Sequence, residues 1–338
     1  MGRATGERLW WISVGAAALG VLGGCAPVCP PVQRGAATPS EAAPVATTSV
    51  AEAPARRMPI EVGLMVMGRE TGAPWIEVSV NGVKTKAILD TGAEFHVVQT
   101  WFADEAKIGS DGDQDVDVTD SSKKSVKASF ARVRGRVEGW GPLDTPAVLM
   151  PTFAAFETAG VGMIVNPLLL AAPGKALRLD FVAREMSELD ALTEPAPSTV
   201  LQTCASVSRL KNGTVITTNR QVTEVEIAGS TTALTVDSGA RTTVIAAGSD
   251  ATEELVKLAT GTETAAGVLG TEEVKTIAEP VPITVAGVTL KVSGIRLGPE
   301  EKKRTSCNDD GVLGMDVLEH CVVELSITDT RLTCRAPG

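Results

Sequence analysis

The tetrapeptide Asp90-Thr91-Gly92-Ala93 recurs as Asp237-Ser238-Gly239-Ala240, 147 positions further along the chain. Each copy ends a run of alternating apolar and polar residues, and each precedes an apolar pair, Val97-Val98 or Val244-Ile245. The residues ahead of the two turns keep the same spacing without a gap. Glu77 matches Glu224, Val78 and Val80 match Val225 and Ile227, and Asn81-Gly82 matches Ala228-Gly229. A second pair of segments is nearly in step: Gly162-Met163-Ile164-Val165-Asn166-Pro167-Leu168-Leu169 and Gly311-Val312-Leu313-Gly314-Met315-Asp316-Val317-Leu318, 149 positions apart. One acidic turn of this type is a weak signal. Two in register, each followed by an apolar glycine-containing segment, read as a tandem duplication, and a repeat constrains the fold before any local propensity does.

Period-two alternation marks half-buried strands, and here it recurs throughout both halves. Trp75 to Val80 and Val83 to Leu89 flank Asn81-Gly82, a strong hairpin signal. Thr100 is expected to cap a short helix from Trp101 to Ile108, Lys123-Lys124 to sit at a hairpin tip, and Ala176 to Phe181 to close the first half. The second half repeats the order: strands over 222–227 and 231–236, a helix capped near Ser249-Asp250, a hairpin over 267–277, and a closing segment from Val322 to Cys334. The expected divisions are an export signal over 1–24, a flexible tether over 25–58, a first lobe over 59–192, a connection over 193–199 and a second lobe over 200–338.

The first division rests on Arg3 and Arg8 followed by an apolar run from Leu9 to Leu22, in the size range of a signal-peptide core and short for a bilayer span. The run ends Leu22-Gly23-Gly24-Cys25, which resembles the lipobox of bacterial lipoproteins. That resemblance implies lipidation of Cys25 and a membrane held through the lipid, in the cell envelope. Ala26 after the cysteine implies the outer membrane, facing the periplasm. The Ala-, Pro-, Ser- and Thr-rich stretch that follows has too little apolar surface to offset its ordering entropy.

Composition narrows the chemistry. The net charge of −10 lacks the basic footprint of a nucleic-acid binder. Only two histidines are present, His96 and His320, so a multi-histidine metal site is excluded and no metal is expected. His96 reads as a packed histidine. With Cys25 taken by lipid and Cys29 in the tether, four cysteines remain, and an exported chain pairs them. Of three possible connectivities we expect Cys307 with Cys321, flanking the glycine segment, and Cys204 with Cys334, tying first strand to last.

Two carboxylates held close cannot both ionise, so one pKa falls and the other rises. The ionised member can activate a water molecule, and the protonated member can polarise a carbonyl and protonate the leaving amine. No cofactor is needed. Asp90 and Asp237 suit that task, with Thr91 and Ser238 as hydroxyls able to lock the turns and Gly92 and Gly239 allowing close approach of backbone. On these residues the chain resembles the aspartic protease superfamily, pepsin-like in having two lobes in one chain and retropepsin-like in having Ala93 and Ala240 after the glycines.

The resemblance spans roughly 60–335. It implies an all-β bilobal fold, two β-barrel lobes about a pseudo-twofold axis, with Asp90 and Asp237 as the catalytic pair. It also implies an extended peptide or unfolded protein as substrate, and a monomer, since both turns lie in one chain. Counted along the repeat, Val165 stands at the place of Gly314 and Pro167 at that of Asp316. A catalytically impaired lipoprotein that binds peptides or supports an envelope assembly is therefore the alternative reading. With no tyrosine in the chain, a pepsin-type flap tyrosine is absent.

Overall fold

A computed structural model of the chain describes residues 56–66, 69–110, 115–119, 125–192, 199–209, 215–266, 271–298 and 310–337. The expected signal segment, Cys25 and Cys29, the Lys123-Lys124 tip, residues 193–198 and Cys307 lie outside them. The architecture is all-β and bilobal, with short helices at strand ends.

In the first lobe the strands close on themselves. Trp75–Val80 pairs with Val83–Leu89, which pairs in turn with Val161–Val165. The ladder continues through His96–Gln99 and Gly141–Met150 to Ser125–Val137, which returns to Trp75–Val80. This closure leaves no free edge along those six strands. Alternation in the sequence becomes alternation in burial: Ile76, Val78 and Val80 point into the core while Glu77 is exposed. Asn81 takes the left-handed conformation that a tight hairpin turn requires, at φ 50°, and its side-chain Nδ2 donates to Ala106 O at 2.7 Å. Its repeat mate Ala228 is held at φ 52° without an amide side chain to ease it.

The second lobe is built in the same order. Val215–Ile227 pairs with Ser230–Val236, Ser230–Val236 runs parallel to Gly311–Leu313, and Val244–Ala246 crosses Gly311–Leu313 antiparallel. The two helices expected from capping residues are present but shorter, as Thr100–Glu105 and Thr252–Lys257. Gln99, not Thr100, is the N-cap residue of the first, and it makes no side-chain cap.

A third sheet joins the lobes. Its six strands run in the order Arg57–Pro59, Glu185–Leu189, Ala176–Asp180, Cys321–Leu325, Thr330–Cys334 and Thr199–Val200, three from each half. At its centre Leu177 lies opposite Leu325, Arg178 opposite Glu324 and Leu179 opposite Val323, so the pseudo-twofold axis passes between these strands. Leu177, Leu179, Val323 and Leu325 are all buried, each contributing about 1.5–3 kcal/mol of apolar transfer. Arg57 and Met58, assigned by composition to the tether, are part of this sheet, with Met58 buried opposite Met186.

The central sheet also corrects the cysteine pairing. Cys321 is bonded to Cys334, not to Cys307, and Cys334 is therefore unavailable to Cys204. The reason is register: the hairpin of Cys321–Leu325 and Thr330–Cys334 sets the two cysteines directly opposite, with Cα atoms 4.0 Å apart. The expected pairing set one bridge around the glycine segment and one between first strand and last, and the ladder decided otherwise. The bridge closes a loop of 13 residues, worth roughly 3 kcal/mol in chain-entropy terms. A Cys321→Ala/Cys334→Ala variant should unfold at correspondingly lower denaturant concentration with a somewhat larger m-value, since the unfolded chain is no longer held compact by the bridge, and reductant should shift the wild type in the same direction.

Candidate active site

Each acidic turn is delivered by a strand that runs into it beside a parallel neighbour. Asp90 N–H donates to Val165 O at 3.0 Å, and Asp237 N–H donates to Leu313 O at 3.1 Å. The turns then meet across the lobe boundary. Thr91 N–H donates to Ser238 Oγ at 3.1 Å, and Ser238 N–H donates to Thr91 Oγ1 at 2.9 Å. Each hydroxyl donates its own hydrogen bond to the opposite lobe, Thr91 Oγ1 to Val236 O and Ser238 Oγ to Leu89 O, both at 2.8 Å. These four bonds are buried and reciprocal. A threonine or serine suffices for this because one hydroxyl both accepts and donates.

The carboxyls lie in the space this lock leaves. Asp90 Oδ1 accepts from Gly92 N–H at 2.8 Å and Ala93 N–H at 2.9 Å, and Asp237 Oδ1 accepts from Ala240 N–H at 3.0 Å. Each glycine backs the carboxyl of the other turn. A Cβ on Gly92 would lie 2.6 Å from Asp237 Cγ, and one on Gly239 would lie 2.5 Å from Asp90 Cγ. No side chain larger than hydrogen fits there. Both aspartates have zero solvent exposure.

Asp90 Oδ2 is left without a donor so long as both groups are ionised. The Asp237 carboxyl is within hydrogen-bonding reach of Asp90, and a single proton between the two carboxyls would satisfy the orphan oxygen. Burial, then the Asp237 charge and the hydrogen bond to Asp237, push the Asp90 carboxyl well above the usual carboxylate range. The amides of Gly92 and Ala93 pull it the other way without prevailing. A buried carboxyl pair sharing one proton can hold a general acid and a general base within hydrogen-bonding reach of each other.

Beneath the turns the lobes differ, and the difference is one residue from that expected. Val165 pairs with Leu89, whereas Leu313 pairs with Val236. Val165 therefore stands at the place of Leu313, Asn166 at that of Gly314 and Leu168 at that of Asp316. A bulge between Val161 and Met163 absorbs the extra residue, Gly162. Val165 is thus an ordinary core valine, fully buried, and it does not press on the turn.

In the second lobe Gly314 N–H donates to Thr243 Oγ1 at 3.2 Å, and the same hydroxyl donates to Asp316 Oδ1 at 2.7 Å. Burial holds the Asp316 carboxyl up to about 6, against hydrogen bonds from Thr243 that lower it. In the first lobe Asn166 N–H donates to His96 Nδ1 at 3.2 Å, and Asn166 Oδ1 accepts from Leu168 N–H at 2.9 Å. Burial holds His96 down to about 4, so it is neutral at pH 7. Accepting at Nδ1 places its proton on Nε2.

Residues 76–165 match the family model described as aspartyl protease. That span is similar to the aspartyl proteases. It includes the whole of the Asp90 turn and ends at the residue that receives the Asp90 N–H. No curated protein matches the chain. Among solved structures, the aspartic proteinase from Irpex lacteus is similar at a TM-score of 0.49 and 12% identity, over 83% of this chain and 97% of that one.

The second half of the site enters the aspartyl protease reading through the internal repeat and the four reciprocal bonds. Two of its features had no signature in the sequence reading. Glu94 and Arg220, both nearly buried, form an ion pair across the lobe boundary, Nε to Oε1 at 3.6 Å. Arg241, the repeat mate of Glu94, crosses in the opposite sense and donates to Glu70 O at 3.1 Å. An acid and a base stand at matching positions after the two acidic turns, but their partners lie too far along the chain to be paired from the sequence. A cavity of about 580 Å³ opens beside the second turn, with Glu70, Arg241, Thr242, Glu263, Arg296 and Asp316 in its walls.

Proposed function

We propose that the chain is an aspartic endopeptidase in which Asp90 and Asp237 activate a water molecule for attack on a peptide carbonyl, and that lipid at Cys25 anchors it in the cell envelope. The observation that carries the catalytic reading is the reciprocal lock of Thr91 and Ser238 with each glycine against the opposite carboxyl. A turn that merely capped a strand would have no need of a second acidic turn packed against it. In the proposed cycle the ionised carboxyl takes a proton from water as the oxygen adds to the carbonyl carbon. The protonated carboxyl donates to the carbonyl oxygen, and a proton then passes to the departing amine.

The peptide-binding alternative rested on Val165 and Pro167. The ladder moves Val165 out of the glycine position, and Pro167 removes one N–H from beneath the first turn. Cleavage of an unstructured protein by the detergent-solubilised full chain, with and without a statine-type inhibitor, tests the proposal. Absence of cleavage from about pH 4 to pH 7, or cleavage indifferent to the inhibitor, overturns it.

The pH–rate profile should be bell-shaped, with limbs that belong to the pair. Ala93 and Ala240 have no hydroxyl to donate to the outer carboxylate oxygens, and fewer donors leave carboxyl pKa values higher. Burial of Asp90 acts in the same direction. The optimum is therefore expected in mild rather than strong acid. Ala93→Ser should move the acid limb of kcat/KM downward, because the added hydroxyl favours the ionised form. A limb that moves upward would contradict this assignment.

The anchoring proposal rests on Leu22-Gly23-Gly24-Cys25. Cys25→Ser should shift the chain from the membrane fraction to a soluble or unprocessed form, since the thioether-linked lipid is the proposed hold on the bilayer. Fractionation identical to wild type would remove Cys25 from that role.

A further inference from the structure

The two acidic turns are supported differently from below. In the second lobe Met315 N–H donates to Ala240 O at 2.8 Å and Asp316 N–H donates to Arg241 O at 2.9 Å, so the chain leaving the turn is held at two successive carbonyls. In the first lobe Pro167 stands at the place of Met315 and has no N–H. Leu168, at the place of Asp316, gives its N–H to Asn166 Oδ1. Neither bond can therefore form beneath Ala93 and Glu94. What holds the exit of the first turn instead comes from the opposite lobe. Arg220, on the strand Val215–Ile227, reaches Glu94, and both side chains are less than a tenth exposed.

We propose that Arg220 is a positioning residue for Asp90, acting through its buried ion pair with Glu94 in place of the missing backbone bonds. Glu94 is four residues from Asp90 and directly follows Ala93, whose N–H donates to Asp90 Oδ1. Holding Glu94 to the second lobe fixes that amide, and with it the carboxyl. The pair is thus part of the alignment of the two aspartates rather than a general tie between lobes. Such a role extends the peptidase reading and rests on it for its kinetic consequence.

A single truncation would strand a buried charge, so the variant is the double one, Arg220→Met/Glu94→Gln, in the full chain. Its kcat on an unstructured protein should fall about 10- to 100-fold with KM little changed, the scale expected when a reacting group is misplaced by an ångström or less. The second readout needs no turnover. In protein carrying ¹³C-labelled aspartate side chains, the upper apparent pKa of the Asp90–Asp237 pair should rise by about half a unit or more, because amide donors to Asp90 are loosened. The charge acting on Asp90 is that of Asp237, and removing Glu94 and Arg220 together leaves the net charge unchanged.

Arg220→Lys, which keeps the charge with different reach, should fall between the two forms. If the double variant does not fold, Arg220→Lys and Glu94→Asp must each raise the pair's upper pKa, or the proposal fails. A lowered melting temperature with wild-type kcat, KM and carboxyl titration would make the pair merely structural and overturn it. If wild type cleaves nothing, the peptidase reading falls, while the carboxyl titration still decides whether Arg220 positions Asp90.

Discussion

Asp90→Asn should abolish turnover, by at least about 10²–10⁴-fold, and at the same time make the protein more stable at neutral pH. The two effects have one cause. Folding raises the Asp90 pKa, chiefly by burial and by the charge of Asp237. The folded chain therefore binds that proton more tightly than the unfolded chain does. The contribution to stability is full below the unfolded carboxyl pKa, about 3.9, and is lost as pH rises from there through the folded value. Asparagine removes this penalty. Its Oδ1 can keep the bonds from Gly92 and Ala93, and its amide can donate across to Asp237. Activity and thermal unfolding measured at about pH 4 and pH 7 check both halves. Asp237→Asn should lose activity to a similar degree, because the groups act as a unit. Wild-type turnover in either variant would end the shared-proton account.

Gly239→Ala should be nearly as damaging to turnover while leaving every ionisable group in place. The added Cβ would lie 2.5 Å from Asp90 Cγ and 2.6 Å from Asp90 Oδ2, distances that force a shift of the carboxyl or of the turn. Overpacking of this kind typically costs about 1–3 kcal/mol of stability. Its effect on rate is larger, because displacing a reacting group by an ångström can cost about 10²-fold. Gly92→Ala should behave alike through Asp237, at 2.6 Å from its Cγ. Circular dichroism and kcat/KM together check the prediction. A folded alanine variant with full activity would mean that the carboxyls do not work in the arrangement seen.

The repeat made the fold and the two aspartates legible, because strand period, turn residues and hydroxyls are all local. Period-two alternation locates Trp75–Val80 and Val83–Leu89 directly, and Asn81-Gly82 locates the turn between them. What failed to show was register between distant segments. Counting from Gly162 to Gly311 places Val165 on Gly314, and only the bulge at Gly162 shows that Asn166 belongs there. Bulges leave no reliable mark in one sequence, since the extra residue is identified by its partner strand. The cysteines failed for the same reason. Their pairing follows from the register of Cys321 against Cys334, whereas spacing alone leaves three connectivities open. Glu94 with Arg220 needs the lobes to be assembled before it can be seen at all.

The central sheet has a consequence for the order of events during synthesis. Its middle rungs join Arg178 to Glu324 and Leu177 to Leu325, contacts that close loops of well over a hundred residues. Contacts of that span form late, after the local hairpins. A chain emerging from its N-terminus can complete the first barrel early, but Ala176–Asp180 then waits with one open edge until Cys321–Leu325 arrives. Before the second lobe supplies Ser238, the Asp90 turn has no hydroxyl to lock against, and the paired carboxyls do not exist. The unfinished chain is thus a molecule with an exposed strand and no acid pair, vulnerable to wrong pairing yet unable to cut its neighbours. The last strands complete the hairpin that carries Cys321 and Cys334 and close the open edge of Ala176–Asp180.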